Sequence, residues 1–146
     1  MAGFSGLVSL GLSGGNAGAN IVGVSARNAV NGVATFPGLT IDRAGSAYRI
    51  AASVTGVPSV LTNTFDVATA PARFVTILGG AGQTAPPSTA LPDSIRVRVT
   101  DVFGFPRAGL TAQFAVVAGG GSVVPTTVPT DADGRAATQW TLGAAG

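Results

Sequence analysis

The sequence predicts an all-β fold, and its composition, its strand periodicity and its turn residues each point to that class. Hydrophobic residues make up 46% of the 146 positions and charged residues only 10%, while 22 glycines and 9 prolines leave little room for long helices. Such a composition is typical of many short strands joined by turns. The length suffices for one large domain or for two small ones.

Strand periodicity is clearest in the second half of the chain. From 93 to 100, apolar β-branched residues alternate with polar ones, which is the period of a strand with one buried face. A turn-rich segment leads to a second alternating run at 110–117. A short apolar run at 122–125 follows, and a closing run at 135–142 holds the single tryptophan, Trp140.

The first half contains shorter runs of the same kind. The strands expected there cover 7–12, 19–30, 33–36, 39–41, 48–53 and 62–67. The pair Asn31-Gly32 is a strong signal for a tight hairpin turn. Ala17-Gly-Ala19 fits the cleavage pattern of a secretory leader. No basic residue precedes Arg27, however, and glycines interrupt the apolar part, so we interpret the opening segment as a strand.

The turns of the second half form an ordered set of motifs. The set comprises Arg-Val-Thr-Asp-x-x-Gly-x-Pro-x-x-Gly from Arg98, Phe114-Ala-Val, the triple glycine at 119–121, Thr130-Asp-Ala-Asp-Gly-Arg-Ala and Trp140-Thr-Leu-Gly. As a set, these motifs resemble the bacterial immunoglobulin-like repeats of invasin- and intimin-type surface adhesins, over most of residues 73–146. The resemblance implies an immunoglobulin-like β-sandwich module of an extracellular protein, often repeated in tandem, that acts as a spacer or presents a binding tip.

The first half resembles the same family, and the turn at Asn31 is repeated approximately at Asp133. Its motifs are Asn31-Gly-Val-Ala-Thr-Phe, Leu39-Thr-Ile-Asp, Ala44-Gly45 and Tyr48-Arg-Ile-Ala-Ala-Ser. We therefore expect two immunoglobulin-like modules joined by a short linker. The expected boundaries are 1–68 for the first module, 69–72 for the linker and 73–146 for the second module.

Compared with the family pattern, the first module lacks the opening strands and the second lacks the closing strands. An open sandwich leaves unpaired strand edges and half-covered apolar faces, which favours association. The halves can complete one another within a chain as a permuted sandwich, or strands can be exchanged between chains in a homo-oligomer. We favour exchange between chains. The turn-rich segment 79–92 is expected to form a mobile loop.

The residue types that are missing exclude several chemistries. The chain has no cysteine, histidine, glutamate or lysine, so a disulfide framework, imidazole metal sites and histidine-dependent triads are ruled out. Its formal net charge is only +2, and no basic run suggests binding to nucleic acid. No apolar run approaches the roughly 20 residues that a membrane helix requires, so membrane insertion is not expected.

Asp131 and Asp133 are the candidates for a metal site. Two carboxylates two residues apart resemble the opening of a calcium loop, but the glutamate that completes such a loop is missing. We favour an ordinary hairpin turn here and an Asx turn at Asp101, and calcium is the only cofactor that the sequence suggests. No catalytic residue is assigned. A hydrolase in which these carboxylates act with or without a metal remains an alternative.

Arg96 and Arg98 form a possible ligand face, because they lie on the same side of the predicted strand. They could bind an anionic glycan or a phosphate, although a solvated sheet face is the commoner outcome. Trp140 and Phe114 could stack on a sugar ring if exposed, but their apolar runs favour a place in the core. A carbohydrate-binding module is therefore a second alternative.

The leading expectation is a structural or adhesive role at the bacterial cell surface, as the resemblance implies. The chain would act as a stalk, or it would assemble by strand exchange through its exposed strand edges. A glycan or protein of a host or of a cell surface is a further expected partner. The expected location is extracellular or on the cell surface.

Overall fold

The computed structural model describes residues 3–144, and every regular element in that range is a β-strand. All strand pairings within the named sheets are antiparallel. The predicted all-β class is therefore confirmed. The chain divides into two compact units, of which the first ends at Ala70 and the second begins at Pro71. Within the described range there is no helix that is long and apolar enough to cross a membrane.

From residue 3 onward, the first unit has seven strands in two sheets. They are β1 (Leu7–Ser13), β2 (Ile21–Val22), β3 (Ala26–Asn28), β4 (Thr40–Ile41), β5 (Gly45–Val54), β6 (Val57–Leu61) and β7 (Phe65–Val67). The larger sheet has the order β3-β1-β5-β6, and β7 also pairs with β5. The strands β2 and β4 form a separate two-stranded sheet. The long strand β5 is the element with the most pairing partners in this unit.

Three expectations for the first unit need correction. The alternating run predicted as one strand at 19–30 is divided between two sheets, because the chain turns at Gly23 with φ of 123°. The segment 34–39 contains no strand, so its likeness to the segment after Asp133 is limited to the turn. The strand β6 was not predicted because Pro58 interrupts it, and proline is compatible with a strand only where no ladder hydrogen bond is needed.

The Asn31-Gly32 turn, in contrast, forms as predicted. Val30 and Val33 bridge across it, and Val30 N–H donates to the Val33 carbonyl at 2.8 Å. Asn31 and Gly32 both have positive φ, at 52° and 86°. Positive φ at both central residues is the geometry of the type I′ turn that closes two-residue hairpins.

Tyr48 is the centre of the first unit and its only large side chain that is fully buried among the described residues. Its ring stacks on Phe65 with centroids 6.0 Å apart. Its hydroxyl donates to the Arg43 carbonyl at 3.0 Å, which satisfies a polar group that burial would otherwise leave costly. The ring also lies against Gly15, where a Cβ atom would collide with it. Glycine at that position therefore makes room for the tyrosine.

A β-bulge in β5 positions this tyrosine. The pairing of β5 with β7 shifts register between Gly45 and Tyr48, and Ala47 has a positive φ of 59°. The Asp66 carboxylate accepts the Ala47 N–H at 2.9 Å and holds the bulge in place. Local backbone strain at Ala47 is thus compensated by a charge-assisted hydrogen bond.

The second unit, as far as residue 144, has six strands, again in a larger and a smaller sheet. They are β8 (Ala72–Gly79), β9 (Ile95–Asp101), β10 (Thr111–Gln113), β11 (Ser122–Val124), β12 (Thr127–Pro129) and β13 (Arg135–Thr141). The four-stranded sheet has the order β11-β13-β9-β8, and β10 pairs with β12. Val97, Val99 and Leu110 line a cleft of about 350 Å³ that also touches β10. The smaller sheet thus covers only part of the larger one.

The segment 79–92, predicted to be a mobile loop, is hydrogen-bonded along β13. Leu91 N–H donates to the Trp140 carbonyl at 2.8 Å, and Leu142 N–H donates to the Thr89 carbonyl at 2.9 Å. Leu91 is buried. The sequence suggested mobility because glycine and proline are frequent here, but the backbone groups of this segment continue the ladder of the sheet.

Few apolar side chains are buried in the described part of either unit. The buried apolar residues are Ala29, Tyr48, Leu91, Val99 and Ala136. Large apolar side chains are exposed on several strands, and every residue of β8 except Gly79 is exposed. Exposed apolar surface on this scale marks a site of interaction or a liability to aggregation.

Asp42 links the two strands of the small β2-β4 sheet at one end of that sheet. Its carboxylate accepts the Asn20 N–H at 2.7 Å and the Asn20 side-chain amide at 3.2 Å, while Asp42 N–H donates to the Asn20 carbonyl at 3.2 Å. The Asn20 backbone N–H, helped by the Asn20 amide and the charge of Arg43, lowers the pKa of Asp42 below its ordinary value of 3.8.

We expect Asp42→Asn to reduce the acid sensitivity of the first unit. Because the folded-state pKa is lowered, the stabilisation by this carboxylate is present above the ordinary pKa and is lost as the pH falls from about 4 through the lowered pKa. Thermal unfolding at a series of pH values between 2 and 7 measures this loss of stability. The near-ultraviolet circular dichroism of Tyr48, the single tyrosine, reports on the first unit. Parallel curves for the two proteins below pH 4 would contradict the assignment.

Candidate functional site

Asp101 organises the loop that follows β9. Its Oδ1 atom accepts the N–H groups of Phe103 at 2.9 Å and Phe105 at 3.0 Å. Asp101 N–H donates to the Phe105 carbonyl at 2.9 Å, and Gly104 N–H donates to the Asp101 carbonyl at 3.1 Å. Asp101 is buried, so these bonds satisfy a charge that could not otherwise remain in the interior. The Asx turn predicted at this position is present.

Asp131 organises a second loop with the same hydrogen-bond pattern. Its Oδ1 atom accepts the N–H groups of Asp133 at 2.9 Å and Arg135 at 2.8 Å. Asp131 N–H donates to the Arg135 carbonyl, and Gly134 N–H donates to the Asp131 carbonyl, both at 2.9 Å. The loops share the pattern Asp-x-x-Gly. The glycine has a φ of 84° at Gly104 and 72° at Gly134, a region that other residues rarely adopt.

The two aspartate loops are linked at one end of the second unit. Val99 N–H donates to the Gly134 carbonyl at 2.7 Å, and Arg107 N–H donates to the Val99 carbonyl at 3.0 Å. The buried hydroxyl of Thr130 donates to the Arg107 carbonyl at 2.6 Å and accepts the Leu110 N–H at 3.0 Å. The Thr130 hydroxyl and the Oδ1 atoms of Asp101 and Asp131 all bond to backbone groups, which is the arrangement expected of a structural network.

The carboxylates proposed as calcium ligands therefore lie in a turn. The Oδ1 atom of Asp131 already accepts two N–H groups, and Asp133 is exposed beside it. Within residues 3–144 the structure brings together no group of three or more acidic side chains of the kind that could hold a metal ion. Hard cations take six or more oxygen ligands. The two hydrogen bonds that Asp131 accepts fix the turn before β13.

Asp133 also interacts with two arginines that share a face of the four-stranded sheet. Arg98 and Arg135 lie directly opposite each other on β9 and β13, where two like charges are destabilising. Arg135 forms an ion pair with the Asp133 carboxylate at 3.3 Å, and Arg98 Nε donates to the Asp133 carbonyl at 3.1 Å. The partners of Arg98 thus come from the turn and not from the strand opposite.

Arg96, the other residue of the predicted ligand face, lines a cleft of about 640 Å³. The cleft is lined in part by Leu78, Arg96, Val128, Pro129, Asp131 and Arg135. The Arg96 guanidinium lies over Gly79, where an added Cβ atom would come within 2.7 Å of it. The structure therefore separates the roles of the two predicted arginines, since Arg98 bonds to the turn and Arg96 faces the cleft.

Phe74 is a residue of this face that the sequence did not single out. It pairs with Thr100, and the next pair on the same face is Thr76 with Arg98. Directly opposed residues of an antiparallel pair point to the same side, so Phe74 shares the face of Arg96 and Arg98. Its side chain is 49% exposed. The alternation of residues within β8 shows on which side of the strand Phe74 lies. Only the register with β9 shows that this side is the face of Arg96 and Arg98.

Trp140 and Phe114 are both half-buried in the second unit. Both line an apolar pocket of about 290 Å³ together with Ile95 and Val123. Trp140 is half-buried, and its indole N–H donates to the Gly120 carbonyl at 3.4 Å. These aromatics pack against the sheet, and the exposed aromatic beside the arginines is Phe74.

Comparison of the chain with known protein families, with curated proteins and with solved structures gave no match. The likeness to immunoglobulin-like repeats of adhesins therefore rests on the sequence motifs alone.

We expect Asp101→Ala and Asp131→Ala to destabilise the second unit, and Asp101→Ala to do so more. Each removes an acceptor of two hydrogen bonds. The loss is about 2–3 kcal/mol for the buried Asp101 and about 1–2 kcal/mol for the exposed Asp131. Urea unfolding followed by the fluorescence of Trp140, the single tryptophan, measures the loss.

Asp133→Ala is the control, since it removes only an exposed ion pair and should change stability by less than about 0.5 kcal/mol. Tyr48 reports on the first unit in the same samples and should be unaffected. Equal losses for all three variants would show that the paired loops have no special role.

Proposed function

We propose that the chain is a structural and adhesive module of a bacterial cell-surface protein, built from immunoglobulin-like β-sandwich repeats and acting as a stalk. The observation that carries this proposal is the hydrogen bond from the buried Tyr48 hydroxyl to the Arg43 carbonyl. A tyrosine near the start of a strand that bonds to backbone a few residues upstream is the tyrosine corner of immunoglobulin-like sandwiches. It supports the same class as the sequence motifs.

The order of the units supports a role as a spacer. Two β units follow each other in the chain, each with a larger antiparallel sheet and a two-stranded sheet. Their loops are held by side-chain hydrogen bonds and not by disulfides, since the chain has no cysteine. The resemblance places such modules outside the cell, and the proposed location is extracellular or at the cell surface.

Assembly is the second part of the proposal. The exposed apolar residues lie largely on strands, several of them at sheet edges, which favours association through strand addition or exchange between copies. The hydrolase alternative gains no support from the site, because the Oδ1 atoms of Asp101 and Asp131 each accept two backbone N–H groups.

Single-molecule force spectroscopy tests the stalk role. The full chain, placed between two marker domains, should unfold in two separate events. Each event should release roughly 70 residues, or at most about 250 Å of extended chain. Tyr48→Phe removes the hydroxyl that bonds to Arg43 and should lower the unfolding force of the first unit, with a loss of about 1–2 kcal/mol in its stability.

The second unit is the internal control, because its unfolding force should be the same in the variant and the original chain. Extension of the original chain without force peaks would overturn the stalk role. A Tyr48→Phe variant with unchanged force and stability would remove the observation on which the immunoglobulin-like assignment depends.

A second candidate function is binding of an acidic polysaccharide, and the exposed Phe74 on the same sheet face as Arg96 and Arg98 favours it. Aromatic rings stack on sugars, and guanidinium groups bind sulfate or carboxylate. Phe74→Ala and Arg96→Gln should each weaken binding to heparin about fivefold in calorimetry at low salt, because each removes one of these contacts.

Phe4→Ala and Arg27→Gln are the matched controls in the first unit, where Phe4 is 48% exposed and Arg27 is exposed. They should leave the affinity unchanged. A similar loss in these controls would mean that heparin binds by charge alone and would contradict a specific site.

A further inference from the structure

The edge strand β8 differs from the other edges of the two larger sheets. It is eight residues long, pairs only with β9 and contains no proline. The edge strands β3 and β11 have three residues each, and β6 has five residues with Pro58 among them. Short length and proline are the usual means of preventing pairing at an edge. β8 has neither protection.

β8 also presents apolar side chains on both of its faces. Val75 and Ile77 lie on the face of Val99 and Val97, and are 67% and 64% exposed. Phe74 lies on the opposite face and is 49% exposed. A strand that pairs with this edge must therefore be apolar on both faces. Antiparallel strands of soluble proteins are usually polar on one face. The strand β8 of a second copy, in contrast, is apolar on both faces.

We propose that β8 of one chain pairs antiparallel with β8 of a second copy, so that the two four-stranded sheets become one continuous sheet. A two-fold axis perpendicular to the sheet places Val75 and Ile77 of both copies on one face. When the axis passes at Val75 or Thr76, Arg73 lies opposite Ile77 or Gly79. The two Arg73 side chains are then apart, and no other charge lies within β8.

The expected affinity follows from the size of the contact. A stable dimer buries about 800 Å² on each partner, which a single eight-residue edge does not reach. Pairing should therefore be weak in dilute solution and effective where copies are held close together on a surface. The inference deepens the proposed assembly of the chain and rests on that part of the proposed function.

Charge at the edge is the first test. Sedimentation equilibrium of the full chain from about 1 μM to about 1 mM should show a monomer–dimer equilibrium. Val75→Lys should raise the dimer Kd about tenfold or more, because lysines in the two copies repel each other across the pair. Val60→Lys is the matched control, since Val60 is 69% exposed on the edge strand β6. It should leave the Kd unchanged.

Cysteine cross-linking tests the register without depending on affinity. The chain has no cysteine, so single cysteines can be placed from 74 to 78 without interference. Only the residue at the two-fold axis meets its own copy within disulfide range, at a Cα distance of about 4.5–5.5 Å. One position, Val75→Cys or Thr76→Cys, should therefore form disulfide-linked dimers on mild oxidation, and its neighbours should form far fewer.

Either of two results would overturn the pairing. One is a chain that stays monomeric up to about 1 mM. The other is a dimer whose Kd is insensitive to Val75→Lys and whose cross-linking shows no maximum within β8. A monomeric chain that unfolds with force peaks would contradict the β8 pairing and leave the stalk role intact. A β8 dimer whose units extend without force peaks would contradict the stalk role and leave the pairing intact.

Discussion

Hydrogen bonds from side-chain oxygens to loop backbone hold both units in shape, since neither unit buries many apolar side chains in the described range. In the first unit the Tyr48 hydroxyl and the Asp66 carboxylate fix the bulge and the corner around β5. In the second unit Asp101, Asp131 and Thr130 connect three loops at one end of the sheet. The carboxylates accept backbone N–H groups, the Tyr48 hydroxyl donates to a backbone carbonyl, and the Thr130 hydroxyl does both. Each of these side chains satisfies a backbone group that would otherwise lack a partner.

This distribution of forces explains why ordered loops and open sheet edges occur together. Apolar burial is the dominant stabilising effect in most domains, and it requires that the apolar face of each sheet be covered by another element. Here the small two-stranded sheets cover only part of the larger ones, so Val75 and Ile77 remain exposed at the edge. The loops do not compensate for that exposure, because their hydrogen bonds act locally. Association is the remaining way to bury these residues.

The sequence predicted the long strands and the turns better than the sheets. Alternation located β9 because one of its faces has a consistent apolar pattern, and the runs at 7–12 and 135–142 located β1 and β13. It failed for β6 and β12, which contain proline, and for the run at 19–30, which tertiary pairing divides between two sheets. A period of two reports the local conformation of the chain. It contains no information on which strand will be the neighbour.

The same limit applies to the candidate site. The Asx turn at Asp101 and the turn at Asp131 could be predicted, since both depend on residues close in sequence. That Arg98 bonds to the Asp133 carbonyl, or that Phe74 lies beside the arginines, depends on register between strands. The long, proline-free edge of β8 belongs to this second class. A run of apolar residues predicts a strand, but whether it becomes an edge is decided by the strands that pair with it, and so the proposed assembly depends on the folded unit.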